Sequence, residues 1–321
     1  MDQGHRRHRR GVARPAAHTH RERIPGTGRR GVGRRPPSQS APGAVGLSCS
    51  RALPPARPPI TPRRTHLGTA RLREGHTMRI GIIGAGEIGR TLTRAFSAGG
   101  HDVQVANSRG PETIDASALE HGAEAVTAAE AVQGKDVVIL SVPFTRIPSL
   151  AGLLATVPDE TVVIDTSNYF PHLGGPVEAV EKGQVESLWV AEQLGRPVVK
   201  AWNAVLAGTL QTKGVPAGTP GRIALPVAAD SPEARRVAMR LVDESGFDPF
   251  DAGTLADSWR QQPMTPAYCT ELGLEDLGPA LEAADRDEAP RNRGRMMERF
   301  ASLTAAPTLD ETVELNRSLH R

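Results

Sequence analysis

The chain has 321 residues and a formal net charge of +3, but the charge is divided unevenly along it. Residues 1–77 carry 17 arginines and three acids, which gives +14, whereas residues 78–321 carry −11. With two cysteines, Cys49 and Cys269, and no long apolar run, the sequence excludes a disulfide scaffold, a cysteine-based metal site and a membrane-spanning class.

The first 77 residues differ physically from the rest. They contain no aromatic side chain and are rich in Arg, Pro and Gly, so we expect a disordered basic tail. A nucleic-acid arm and a targeting peptide are alternatives, but the tail offers no aromatic residue for base stacking and no apolar core of about 7–15 residues. Met78 stands directly before the first predicted strand. We therefore expect it to be the natural initiator, with the tail a mis-assigned start or a dispensable segment.

A glycine motif follows the first predicted strand. The apolar stretch Met78–Ile83 runs straight into Gly84, Ala85, Gly86, Glu87, Ile88 and Gly89. This is G-x-G-x-x-G at a strand–helix junction, where the glycines allow a tight turn, close approach to a pyrophosphate and close helix packing. The helix N-terminus offers its free N–H groups to the phosphates. A second match, 26–31, lacks both strand and helix, and we do not expect it to bind a nucleotide.

The predicted elements alternate along the chain. Strands are predicted at 78–83, 101–106, 123–126, 136–142, 161–165, 197–201, 222–228 and 247–251. Helices are predicted at 87–98, 116–120, 128–132, 146–156, 186–194 and 232–245, followed by a helical tail from residue 272 with breaks near Pro290 and Pro307. Alternation with short connections predicts an α/β protein with a doubly wound (Rossmann) parallel sheet and a smaller C-terminal α/β domain.

The residues after the second strand discriminate between cofactors. Sites that prefer NAD usually place an acid there to bind the ribose 2′-hydroxyl. Here Asn107, Ser108 and Arg109 follow instead, and no acid is present to repel a 2′-phosphate. Arg109 can form a charged fork with that phosphate, and the two polar residues can hydrogen-bond to it. NADP(H) is the predicted cofactor; the alternative is a turn with an ordinary solvated arginine.

The ends of the later strands are candidates for the ring pocket, because ligands bind beyond the carboxyl ends of such sheets. We expect three residues after the fourth strand to lie against the cofactor, although they also suit a strand-ending core: Val142, Pro143 and Phe144. A substrate pocket is expected at Thr166, Asn168, Trp202 and Asn203. For the polar pair after the fifth strand, simple turn capping is the alternative.

No catalytic set is evident. Lys200 is a weak candidate for a proton donor, and a structural ion pair is its alternative role. His172 is the one histidine near the predicted site, and we place it in a loop. The sequence shows no metal-ligand spacing.

Five segments together resemble a known family: MRIGIIGAGEIG, NSRGPET, ILSVPF, VIDTSN and VVKAWN. Over residues 78–286 the chain resembles the NADPH-dependent deazaflavin (coenzyme F-420) reductases and the predicted dinucleotide-binding proteins grouped with them. The resemblance implies that Ser108 and Arg109 contact the 2′-phosphate, and that a hydride passes directly between two stacked rings. The chain departs from the family at Ala85, where a Thr is typical, and at Thr113, where a Lys is frequent. The stretch 259–268 is particular to a subgroup, and we expect it to line a different acceptor pocket.

These observations predict an NADP-dependent oxidoreductase whose hydride acceptor is a deazaflavin coenzyme. Two alternatives are an NADPH-dependent imine or carbonyl reductase and a non-catalytic NADP-sensing protein. The expected domains are the tail at 1–77, an NADP-binding Rossmann domain at 78–168, an acceptor domain at 169–289 and a helical C-terminal tail at 290–321. The expected partner is a small redox molecule, with a homodimer left open, and the expected location is the cytoplasm.

Overall fold

The computed structural model describes residues 77–321. All of them lie within one compact unit. The predictions for the basic tail and for the glycine motif at 26–31 fall on residues 1–76 and lie outside the described residues.

The main sheet contains six parallel strands. Strands β1 to β8 are Arg79–Ile83, Asp102–Ala106, Glu124–Ala125, Val137–Leu140, Val162–Asp165, Val199–Lys200, Ala224–Val227 and Asp248–Asp251. The first six form one parallel sheet in the order β3-β2-β1-β4-β5-β6, and β7 pairs in parallel with β8. The order 3-2-1-4-5-6 defines a Rossmann fold, so the predicted doubly wound α/β architecture is confirmed.

Helices cover both faces of this sheet, as a parallel sheet requires. Within residues 77–321, helices α1 to α11 are Glu87–Ala98, Ala128–Val132, Ala151–Leu154, Pro171–Gly174, Glu178–Glu181, Glu186–Leu194, Ala207–Thr212, Pro232–Glu244, Leu274–Glu282, Glu288–Ser302 and Leu309–Ser318. Turns of 3₁₀ helix occur at Pro111–Thr113, Ala116–Ala118, Phe144–Leu150 and Leu255–Gln261. In this part of the chain, none of the helices has the length and apolar character needed to cross a bilayer.

Local sequence signals account for the best-predicted helices. The Thr127 hydroxyl accepts the N–H of Glu130, whose carboxylate accepts the Thr127 N–H in return, and this capping box starts α2 where predicted. Ser231 caps α8, whose first residue is Pro232. Leu92 and Phe96 bury one face of α1 against the sheet.

Five predictions about elements need correction. His172 lies in the short helix α4 rather than in a loop, and the helix predicted at 116–120 is a turn of 3₁₀ helix at Ala116–Ala118. The helix predicted at 146–156 is a 3₁₀ segment followed by the short α3, because Pro148 has no N–H to donate within it. Pro290 lies in the first turn of α10 rather than at a break, since the N–H groups of a first turn have no helical partner. The segment predicted as a strand of the second domain supplies β6 to the main sheet, where Val199 pairs with Ile164.

The second, two-stranded sheet is joined to the first by the backbone. Lys200 and Ala228 form an antiparallel bridge in which each N–H donates to the other residue's carbonyl, at 2.8 and 3.0 Å. The last strand of the main sheet therefore comes from beyond residue 168, the predicted end of the first domain, and continues into the region that carries β7 and β8.

A glycine inside β1 sets how closely α2 approaches the sheet. A Cβ atom on Gly81 would lie 1.7 Å from the carbonyl oxygen of Ala131. No side chain fits there, and the contact is between two backbone segments. Sequence reasoning treated Gly81 as one more strand residue, because nothing in a strand pattern reports contact with a helix backbone.

We expect Gly81→Ala to destabilise the fold by about 3 kcal/mol, because α2 must move away from β1 to admit the methyl group. The matched control is Gly152→Ala in α3, where an added Cβ meets no atom within 4 Å. The control should change stability by less than about 1 kcal/mol. Urea denaturation measures both, and equal midpoints for the two variants would contradict the packing argument.

Candidate active site

The glycine motif forms the turn between β1 and α1, at the edge of the sheet where a Rossmann fold binds its ligand. Gly84 has φ of 110°, and a Cβ there would lie 2.0 Å from the carbonyl oxygen of Ser141. A Cβ on Gly89 would lie 1.9 Å from the carbonyl oxygen of Gly84. By contrast, a Cβ on Gly86 would meet no atom within 4 Å. Two of the glycines therefore permit backbone packing, and the third leaves open space at the start of α1.

That open space suits a pyrophosphate. No side chain caps the N-terminus of α1, so the N–H groups of its first turn are available to an anion. Ile88 packs towards the core and Ala85 is half-buried, whereas the Glu87 side chain is exposed. The groups of this segment that can hold phosphate are therefore backbone N–H groups.

The loop after β2 presents an unpaired cation. Ser108 and Arg109 are exposed, and within residues 77–321 no side chain pairs with the Arg109 guanidinium. The Asn107 amide donates to the Thr113 hydroxyl at 2.8 Å, and its oxygen accepts the Arg109 N–H at 2.9 Å. Asn107 therefore shapes the turn, whereas Ser108 and Arg109 remain free to contact a 2′-phosphate.

The same loop holds an acid that sequence reasoning overlooked. The Glu112 carboxylate folds back over Gly110, so a Cβ on that glycine would lie 2.5 Å from a carboxylate oxygen. The expectation that no acid is present near the 2′-phosphate position is therefore wrong. A 2′-phosphate held by Arg109 would be repelled by this carboxylate, and Arg109 must outweigh that repulsion.

Of the three residues after β4, two lie near the glycine turn and the third lies in the core. Val142 is half-buried, and one of its methyl groups lies 3.3 Å from the Cβ position of Gly84, beside the glycine turn. Pro143 is exposed at the same edge. Phe144 is buried and stacks on Trp189 with ring centroids 4.5 Å apart. Its predicted cofactor contact is therefore corrected: the ring belongs to the core.

A buried ion pair fixes the turn at the end of β5. The Lys200 Nζ donates to Asp165 Oδ2 at 2.7 Å and to the carbonyl oxygen of Ser167 at 2.5 Å. Asp165 Oδ1 accepts the Ser167 N–H at 3.0 Å. Both charged side chains are completely buried. These contacts favour the structural role of Lys200 over that of a proton donor, because its ammonium is buried and paired with Asp165.

Beyond that turn, three side-chain amides form one network. Asn168 Nδ2 donates to the Asn203 carbonyl oxygen at 2.8 Å, and Asn203 Nδ2 donates to Asn168 Oδ1 at 3.2 Å. Gln261 Nε2 donates to Asn203 Oδ1 at 2.8 Å. Asn168 also donates to the Tyr268 hydroxyl at 3.4 Å. The structure thus brings two predicted pocket residues together and adds Gln261, which lies in the stretch 259–268 that the sequence analysis associates with a different acceptor pocket.

The other two predicted pocket residues turn away from the cleft. The Thr166 hydroxyl is buried and donates to the carbonyl oxygen of Leu140 at 3.1 Å. The Trp202 indole is buried against Phe96, and its N–H donates to the Ser245 hydroxyl at 3.1 Å. Both predictions are corrected, because each side chain stabilises the sheet or core instead.

A buried carboxyl group lies beneath this network. Glu186, the first residue of α6, accepts the Tyr169 N–H at 3.0 Å and is almost inaccessible. Burial raises the pKa of Glu186 to about 7, against the opposing attraction of Lys200. Its proton is therefore bound in the folded protein at a pH where the unfolded chain has released it.

The pH dependence of stability follows from this shift. Between about pH 4.5 and pH 7 the folded state holds a proton that the unfolded state lacks, so stability falls as pH rises through this window. Glu186→Gln keeps the acceptor for Tyr169 and removes the ionisation, so its stability should fall less between pH 5 and pH 8. Urea denaturation at the two pH values tests this, and parallel pH profiles for variant and parent would contradict it.

The Rossmann strand order and the uncapped N-terminus of α1 beside the glycine motif are typical of a dinucleotide-binding enzyme. Comparison with known proteins points to the same class. Residues 79–169 match the family described as NADP oxidoreductase coenzyme F420-dependent. The chain is 38% identical over 106 residues to "Putative protein YjhV" of Escherichia coli K12, a match that spans 33% of this chain and 77% of that protein. The chain therefore belongs to this family of NADP oxidoreductases.

Solved structures are also similar to part of the chain. A hypothetical protein SMa0349 from Sinorhizobium meliloti is 34% identical, with a TM-score of 0.49, and the match covers 58% of this chain and 90% of that one. A structure described as a putative F420-dependent NADP-reductase from Arthrobacter sp. FB24 is 22% identical, with a TM-score of 0.45, and the match covers 57% and 87%. By family, the protein is an NADP-dependent oxidoreductase.

Proposed function

We propose that this oxidoreductase transfers a hydride between NADP(H) and a second bound molecule, and that this molecule is a deazaflavin coenzyme. The observation that carries the proposal is the chemistry of the strand ends. Segments 141–144, 165–168 and 200–203 contain two titratable side chains, Asp165 and Lys200, and both are buried in one ion pair. Direct hydride transfer between two planar rings needs no protein proton donor, so such a site is sufficient.

The chain's own residues would position the reactants and exclude water. Backbone N–H groups from Gly84 to Gly89 would hold the pyrophosphate, and Ser108 and Arg109 the 2′-phosphate. Val142 would border the nicotinamide from β4, and the amides of Asn168 and Asn203 from β5 and β6. When bound, NADPH supplies the hydride.

The alternatives receive less support. An imine or carbonyl reductase needs a proton donor, and the ammonium proposed for that role is held by Asp165 and Ser167 away from the cleft. A non-catalytic sensor would not require membership of an oxidoreductase family. The acceptor experiment distinguishes the alternative reductase and the sensor from the proposed enzyme.

Replacing Arg109 tests the cofactor part of the proposal. Arg109→Ala should weaken NADPH binding about tenfold to 100-fold, because a charge-assisted contact to the 2′-phosphate is worth about 1.5–3 kcal/mol. NADH lacks that phosphate, and its affinity should change less than about twofold. Fluorescence titration measures both dissociation constants. Arg236→Ala, which removes an exposed arginine paired with Glu233 on α8, is the control and should change neither. Equal losses for NADPH and NADH in Arg109→Ala would overturn the assignment.

Mixing the full chain with NADPH and a deazaflavin coenzyme tests the acceptor. Hydride transfer should lower the absorbance of both compounds together, at equal molar rates. A cyclic imine and a ketone are tested in parallel. Turnover of either one without turnover of the deazaflavin would support the alternative reductase, and tight NADPH binding with no turnover of any acceptor would support the sensor.

A further inference from the structure

An apolar cavity of about 230 Å³ lies beside the amide network. We call it the apolar chamber, and its principal walls are Phe170, Leu206, Met264, Tyr268, Met296 and Met297. They come from the segment after β5, the start of α7, the loop before α9, and α10. The remaining lining residues are His172, Leu173, Arg293, Phe300, and Thr312 and Asn316 of α11.

The chamber shares a wall with the candidate nicotinamide site. Tyr268 lines the chamber, and its hydroxyl accepts a hydrogen bond from Asn168 at 3.4 Å. Phe170, another wall residue, follows Asn168 by two positions. A molecule in the chamber would therefore lie next to the carboxyl end of β5, where the Rossmann fold presents the reactive end of its cofactor.

The loop that forms this wall has a strained backbone. Met264, Cys269 and Glu271 have φ of 70°, 54° and 51°, in the left-handed region that non-glycine residues rarely adopt. Each such residue costs about 1–3 kcal/mol, and strain of this kind concentrates at binding and catalytic sites. Trp202, which precedes Asn203 on the other side of the network, has φ of 55°.

The lining defines the chemistry that fits. Thioether, phenyl and isobutyl groups dominate, and the three methionines can adapt to irregular apolar shapes. Arg293 also reaches the chamber, but its guanidinium pairs with Glu181 at 3.4 Å and lies over the Tyr169 ring. His172 also lines the chamber, but most of the lining is neutral and apolar, so a charged group placed there would lose more hydration than the chamber replaces.

We propose that the apolar chamber binds the uncharged apolar part of the hydride acceptor, so that α10 selects acceptors whose apolar ring edge or ring substituent fits this cavity. The inference rests on the proposed hydride transfer and names the substrate class of the same site. It assigns specificity to residues far outside the segment that matches the family.

The uncharged naphthalene dye prodan, whose fluorescence rises in apolar surroundings, probes the chamber in the full chain. Met297→Trp should fill the chamber and weaken prodan binding at least tenfold. The matched control is Leu274→Trp on α9, because Leu274 is 47% exposed and Met297 is 44% exposed. The control should leave prodan affinity within twofold, and both variants should bind NADPH as the parent does. Phe300→Asp, which adds a charge to the wall, is a second variant and should give the same loss.

Interligand nuclear Overhauser effects between prodan and NADP⁺ test the location without any turnover. With both bound to the parent protein, or to Leu274→Trp, contacts between prodan protons and the nicotinamide ring should appear; in Met297→Trp they should vanish. Binding of both molecules without such contacts would overturn the inference. So would a change in sedimentation that follows prodan binding, because the chamber would then be an interface between copies of the chain.

The deazaflavin proposal and the chamber proposal can be contradicted independently of each other. If a deazaflavin is not reduced but the prodan contacts appear, the acceptor identity is wrong and the chamber assignment stands. If a deazaflavin is reduced and Met297→Trp leaves its KM unchanged, the chamber assignment is wrong and the hydride transfer stands.

Discussion

The buried ion pair between Lys200 and Asp165 fixes the end of β5, and the proposed acceptor side of the site is built on that end. The ammonium binds a carboxylate from one strand and a carbonyl oxygen from the following turn, so it joins β5 and β6 where both strands finish. Removing one partner of such a pair leaves a buried charge and costs about 3–5 kcal/mol. The direction in which Asn168 leaves the turn, and with it the amide network, depends on this pair.

The cofactor side is built on a different constraint, contact between backbone segments. Gly84 lies against the carbonyl of Ser141, and Gly89 lies against the carbonyl of Gly84. The positions of β1, β4 and the start of α1 are therefore set by main-chain atoms rather than by side-chain packing. This explains why the short glycine motif identifies this half of the site, whereas the acceptor half has no equally short signature.

Several parts of the fold could be predicted because their causes are local. The capping box at Thr127, Ser231 before Pro232, and the apolar run of β4 each carry their own signal. The doubly wound parallel architecture followed from the alternation of strands and helices, whereas the order of the strands within the sheet is known only from the structure. The side-chain directions of Phe144 and Trp202 could not be predicted, since both depend on packing partners that are distant in the sequence. The same holds for Gln261, which reaches Asn203 from 58 residues away.

The C-terminal helices were the least predictable functional region. They carry ordinary amphipathic patterns, and only the assembled structure brings Met296 and Met297 next to Met264. A consequence for oxidative chemistry follows, because three of the chain's six methionines line this one cavity. Oxidation of a thioether to the sulfoxide makes it polar, and Met297 is the most exposed of the three. Peroxide would thus alter the apolar chamber and leave the glycine motif unchanged, because residues 84–89 contain no oxidisable side chain. Reductase repair of the sulfoxides would restore the chamber.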